Sequence, residues 1–144
     1  MQMSREEYAK YVVRVSPKSK LVKDIIWAFV VGGLICALGQ AFTNVFTNLG
    51  LDKTGAGAAT SITLIFLSAL FTGLGLYDKL AKHAGAGTVV PITGFANSVV
   101  SPAIEFKSEG YIMGMCAKMF SIAGPVLVFG ISASFVYGLV LLIL

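Results

Sequence analysis

The side chains that could handle an ion or water in this chain are few, and they sit inside apolar runs: Gln40, Asn44, Thr93, Asn97, Ser98, Glu105 and Lys118. Hydrocarbon offers such groups no partner, so each needs a reason to be there. Lys118 is flanked by Met113, Met115, Met119 and Phe120. It is either a cation held within the membrane or part of an interfacial helix over 111–122 whose lysine snorkels to water, and both readings stand. Glu105 and Glu109, thirteen and nine residues earlier, are candidate charge partners for it.

Covalent chemistry has little to use. Cys36 and Cys116 lie 80 residues apart in apolar segments and read as inert buried thiols. A single histidine, His83, gives no metal cluster, and no Gly-x-Ser-x-Gly, His-Glu-x-x-His or phosphate-binding loop is present. The sequence names no catalytic residue, no metal ligand and no cofactor. The net charge of +4 reads as attraction to anionic lipid rather than to nucleic acid.

The stretch that departs furthest from a plain membrane span is 85–98, where Gly85, Gly87, Thr88, Pro91, Thr93, Gly94, Asn97 and Ser98 replace the expected leucines. Backbone broken at bilayer depth is tolerated only where protein buries it or it lines a wet cavity, and transporters build their sites from such segments. Gly87, Thr88, Pro91, Thr93, Gly94, Asn97, Ser98 and Lys118 are therefore the substrate or pore candidates. Gln40, Asn44 and Glu105 form a second tier.

These residues must be positioned by membrane helices. The chain of 144 residues is 56% hydrophobic and 12% charged, where a soluble domain carries about 25% charged residues. Ile25 to Leu51 and Ala56 to Tyr77 are uncharged runs, each long enough for the roughly 20 residues of a spanning helix. Pro91 predicts a loop or half-helix followed by a helix from about Ile92. Tyr111 to Leu144 is too long for one span, which predicts a break at Gly124-Pro125. The reading is an all-α integral membrane protein of about four spans, with a discontinuous or re-entrant segment near 85–98.

Residues 1–24 form a basic N-terminal segment and 25–144 a single transmembrane domain. Six basic residues precede the first span, against Glu6, Glu7 and Asp24, which predicts a cytoplasmic N-terminus. The loop at 52–56 then falls on the opposite side, and Lys79 and Lys82 return to the cytoplasm. Gly-Ala-Gly and Ile-Thr recur 30 residues apart, at 55–63 and 85–93, as in a short repeat whose helix starts could face an anion. Small residues at helical spacing (Gly33 and Ala37; Gly110 and Gly114; Gly130, Ser134 and Gly138) predict close helix packing within or between chains.

Four motifs carry a resemblance: Phe29-Val-Val-Gly-Gly-Leu-Ile-Cys-Ala-Leu-Gly-Gln40, Thr72-Gly-Leu-Gly-Leu-Tyr-Asp78, Ala84-Gly-Ala-Gly-Thr-Val-Val-Pro-Ile-Thr-Gly-Phe-Ala-Asn-Ser98 and Glu105-Phe-Lys-Ser-Glu-Gly110. From about residue 20 onward the chain resembles the stage V sporulation protein AC family of spore-forming bacteria. The paralogous AE proteins share the Gly-Gly-Leu-Ile-Cys and Pro-x-Thr-Gly-Phe elements but lack the Asn-Ser and Glu-Phe-Lys-Ser-Glu-Gly pairing. The resemblance implies a subunit of the inner spore membrane, working with other stage V sporulation protein A subunits as a homo- or hetero-oligomer. It implies movement of dipicolinic acid, with calcium, into the developing spore and its release in germination, through a channel responsive to membrane tension. A non-conducting scaffold in the same complex is the alternative. The family offers no catalytic residues to carry over.

Overall fold

In lipid, every backbone N–H and carbonyl must be satisfied internally, so the apolar runs close into helices. The computed structural model describes residues 4–16 and 20–143. Its helices are α1 (Arg5–Val15), α2 (Leu21–Asn48), α3 (Lys53–Gly73), α4 (Tyr77–Ala84), α5 (Ala86–Val89), α6 (Ile92–Glu105) and α7 (Ala117–Ile143). A 3-10 turn at Lys107–Glu109 and a wider π-helical turn at Tyr111–Cys116 lead into α7. Among the described residues, three helices are long and apolar enough to cross a membrane: Leu21–Asn48, Lys53–Gly73 and Tyr111–Ile143. At 1.5 Å per residue they measure about 42, 32 and 50 Å, against a hydrocarbon core of about 30 Å.

The first two spans pack antiparallel. The hydroxyls of Thr43 and Thr60 meet at 3.0 Å, and Gly39 lies beside Leu64. Their boundaries sit a few residues before the uncharged runs because local signals override composition. The Asp52 side chain accepts the Gly55 N–H at 3.2 Å and starts α3 at Lys53. Gly75, with φ +66°, carries the chain out of α3 after Gly73.

The segment after α3 enters and leaves by one membrane face. Lys82, His83, Gly85 and Ala86 share a cavity of about 390 Å³ with Leu21, Asp24, Ile25 and Ala28 at the start of α2. Higher up, Val90 and Pro91 line a groove with Gly33 and Cys36. Residues 85–91 thus climb along α2 to roughly its midpoint. The direction then reverses: a Cβ on Gly94 would meet the backbone of Thr88 and Val89. α6 descends parallel to α3, since Ser68 meets Thr93 and, four residues on, Thr72 meets Asn97. The 14 residues of α6, about 21 Å long, bring Glu105 back to the face where α2 begins. The discontinuous element expected near 85–98 is a re-entrant hairpin, set among the three described helices that are long and apolar enough to cross.

One expected break is absent. α7 runs unbroken from Ala117 to Ile143 with Pro125 inside it, and the irregularity falls instead at Gly110 (φ +102°) and the π-helical turn. In lipid a chain that leaves the helix at a proline exposes several backbone groups with nothing to bond, whereas one that stays helical forgoes a single bond. The echo between 55–63 and 85–93 is not a structural repeat: the first copy lies inside α3, and the second spans the corner at Gly85, α5 and the start of α6.

Candidate functional site

The base of the hairpin is pinned to α2 by the absence of side chains. A Cβ on Gly87 would meet the carbonyl oxygen of Ala28 and lie 2.8 Å from its Cα, and one on Gly32 would lie 3.3 Å from the Gly87 carbonyl oxygen. Only glycine allows the two backbones this approach. Gly85, two residues before Gly87, with φ +50° and ψ −120°, makes the corner between α4 and α5.

Hydroxyl groups close the other side. Ser68, almost fully buried on α3, donates to the Thr93 carbonyl at 2.6 Å. The proton of Thr72 is shared between the Ser68 carbonyl at 2.7 Å and the Asn97 side-chain oxygen at 2.8 Å. The buried phenol of Tyr77 reaches the Thr88 carbonyl at 2.9 Å and the Thr93 hydroxyl at 3.1 Å. The phenol's single proton is shared between these two acceptors, as that of Thr72 is between its own pair. No buried side-chain nitrogen or oxygen among the described residues lacks a partner.

The sequence candidates divide into groups. Thr88, Thr93 and Asn97 converge with Ser68, Thr72 and Tyr77, which the sequence reading had not singled out. Gly87, Pro91 and Gly94 shape the backbone around them, and Ser98 bonds back to the Phe95 carbonyl at 2.7 Å. The expected anion cradle at Gly87-Thr88 does not form. α5 is four residues long, and both the N–H and the hydroxyl of Thr88 go to the Gly85 carbonyl.

Lys118 lies elsewhere. Its ammonium sits over the Phe106 ring, 4.8 Å from the centroid, at the opposite end of α6 from Thr93. Side chains on a helix tilt toward its N-terminus, which for α7 is the face carrying Glu105 and Lys107. The geometry matches the snorkelling alternative. Glu105 is exposed on that face. Gln40 donates to Asn44 at 2.9 Å along α2, both side chains exposed, on the helix face of Gly33 and Cys36 and above the hairpin tip.

Known proteins match this chain along nearly its whole length. Residues 24–140 match the family described as SpoVAC/SpoVAEB sporulation membrane protein. The chain belongs to that family. It is similar to Stage V sporulation protein AC of Bacillus subtilis (strain 168), 45% identical over 137 residues that cover 94% of this chain and 91% of the relative. No solved structure matches. As a member of a sporulation membrane protein family, the chain carries its re-entrant hairpin within the matched residues.

Proposed function

We propose that this protein is a channel-type subunit that moves dipicolinic acid, with calcium, across the spore inner membrane, inward during spore development and outward in germination. The observation that carries the reading is the re-entrant hairpin. Its tip places the N-terminus of α6, which no side chain caps, at mid-bilayer, where the positive end of the helix dipole favours an anion. Dipicolinate is a planar dianion, and passing it requires compensating positive potential without tight binding. Gln40 and Asn44 extend a polar stripe beyond the tip. With three crossings and one hairpin, the chain conducts as part of an oligomer, with other copies or with other stage V sporulation protein A subunits. The basic residues beside α2 put that face in the cytoplasm.

The non-conducting scaffold reading draws support from the full internal satisfaction of the hairpin hydroxyls and from the exposed Gly130, Ser134 and Gly138 on α7. Recording from purified protein in liposomes under applied stretch separates the two. The channel reading expects tension-dependent openings that pass dipicolinate, and a protein silent at every tension, alone and with its partner subunits, overturns it.

A further inference from the structure

The N-terminal helix contributes nothing to the bundle. None of its residues is buried, yet it is built as a helix in its own right. Ser4 and Glu7 form a reciprocal capping box, each side chain bonding the other's backbone N–H. The Ser4 backbone N–H holds the Glu7 carboxyl below its ordinary value. Around the helix axis, Tyr8, Tyr11, Val12 and Val15 fall within about 100° of arc, by the spacing of 3.6 residues per turn. Lys10 and Arg14 fall on the other side with Glu6 and Glu7.

Position decides what this apolar stripe can meet. Val15 and Leu21 are six residues apart, so α1 stays within about 20 Å of the first turn of α2. That turn is where the chain enters the bilayer, with Leu21, Val22, Ile25 and Ile26 exposed to it. The hairpin topology gathers Lys20, Lys23, Lys79, Lys82, Lys107 and Lys118 on the same face with Asp24, Asp78, Glu105 and Glu109, while Asp52 and Lys53 stand on the other. With α1 included, basic residues outnumber acidic ones on this face, while Asp52 and Lys53 cancel on the other, so this is the face that complements anionic headgroups. Tyrosines at the edge of an apolar stripe suit the headgroup level, having an apolar ring and a polar tip.

We propose that α1 lies in the headgroup layer of an anionic leaflet, with Tyr8, Tyr11, Val12 and Val15 inserted and Lys10 and Arg14 engaging acidic phospholipid headgroups. The occupant of its apolar face is the lipid surface, not a second protein. This inference is independent of what the protein conducts.

The test uses the full chain with Cys36 and Cys116 replaced by serine and one new cysteine, Val12→Cys or Lys10→Cys, carrying an environment-sensitive dye. The protein is reconstituted in phosphatidylcholine vesicles with or without phosphatidylglycerol, and insertion is confirmed by the fluorescence of Trp27. With phosphatidylglycerol, the Val12 dye is expected to be quenched by brominated lipid and shielded from acrylamide, and the Lys10 dye to remain open to acrylamide. Each basic residue at an anionic surface changes the docked-to-undocked ratio roughly five-fold, so adding Lys10→Gln and Arg14→Gln to the Val12→Cys protein lowers it roughly twenty-five-fold. Equal acrylamide access at both positions overturns the docking. Equal shielding at both positions means a protein partner covers α1, and equal shielding of Val12 in pure phosphatidylcholine removes the anionic lipid; either result overturns the proposal.

Discussion

A single methyl group tests the contact at the base of the hairpin. At Gly87 an added Cβ runs into the Ala28 backbone, whereas at Gly33 nothing lies within 4 Å. Gly87→Ala is expected to cost about 1–3 kcal/mol as an overpacking change, and Gly33→Ala close to nothing, read as unfolding midpoints in detergent. Tyr77→Phe leaves the Thr88 carbonyl and Thr93 hydroxyl without their phenol and is expected to cost about 1–3 kcal/mol. Much of this was out of reach of the sequence. Thr88, Thr93 and Asn97 stand out because they interrupt a glycine-rich segment, but Ser68 and Thr72 are single hydroxyls in an apolar helix, and such groups often just bond back to their own helix. What marks these two is that they face residues 25 positions away, and spacing along one helix cannot show that.

At the scale of elements, the two uncharged runs before residue 78 were readable as spans because charge exclusion over some 20 residues has few other causes. The start of α6 at Ile92 followed from Pro91, which lacks an N–H and suits a helix N-terminus. The same rule failed at Pro125, because lipid penalises an open backbone more heavily than water does. The direction of α6 was not readable at all: a segment of 14 residues can return or continue, and only its pairing with α3 decides. Cysteine labelling checks that decision. Ser108→Cys is expected to react from the same side as Ser4→Cys, and Thr54→Cys and Leu142→Cys from the other. Reaction of Ser108 and Thr54 from one side would turn the hairpin into a fourth crossing.

For the whole molecule, the separation of Lys118 from the hairpin sets a ranking. Gly94→Leu, which forces a side chain into the Thr88 and Val89 backbone, is expected to reduce dipicolinate flux into liposomes several-fold at equal protein abundance. Lys118→Met removes a charge that rests on Phe106 near the membrane face and is expected to leave flux and anion selectivity close to wild type. A Lys118→Met protein with inverted selectivity would return that residue to the conduction path.

The hairpin also bears on how the protein is made. With the N-terminus in the cytoplasm, as proposed, a fourth crossing would require the cell to drag Glu105, Lys107 and Glu109 through hydrocarbon, whereas a segment that turns back leaves every charged residue from Asp78 to Lys118 on the side where it was synthesised. Between Leu21 and Ile143 the charges that must be carried across are Asp52 and Lys53, adjacent and opposite in sign. Biogenesis is thereby reduced to inserting the α2–α3 pair and threading α7. Residues 85–105 need no translocation of their own and can settle last, into a slot already lined by Ala28, Ser68 and Thr72.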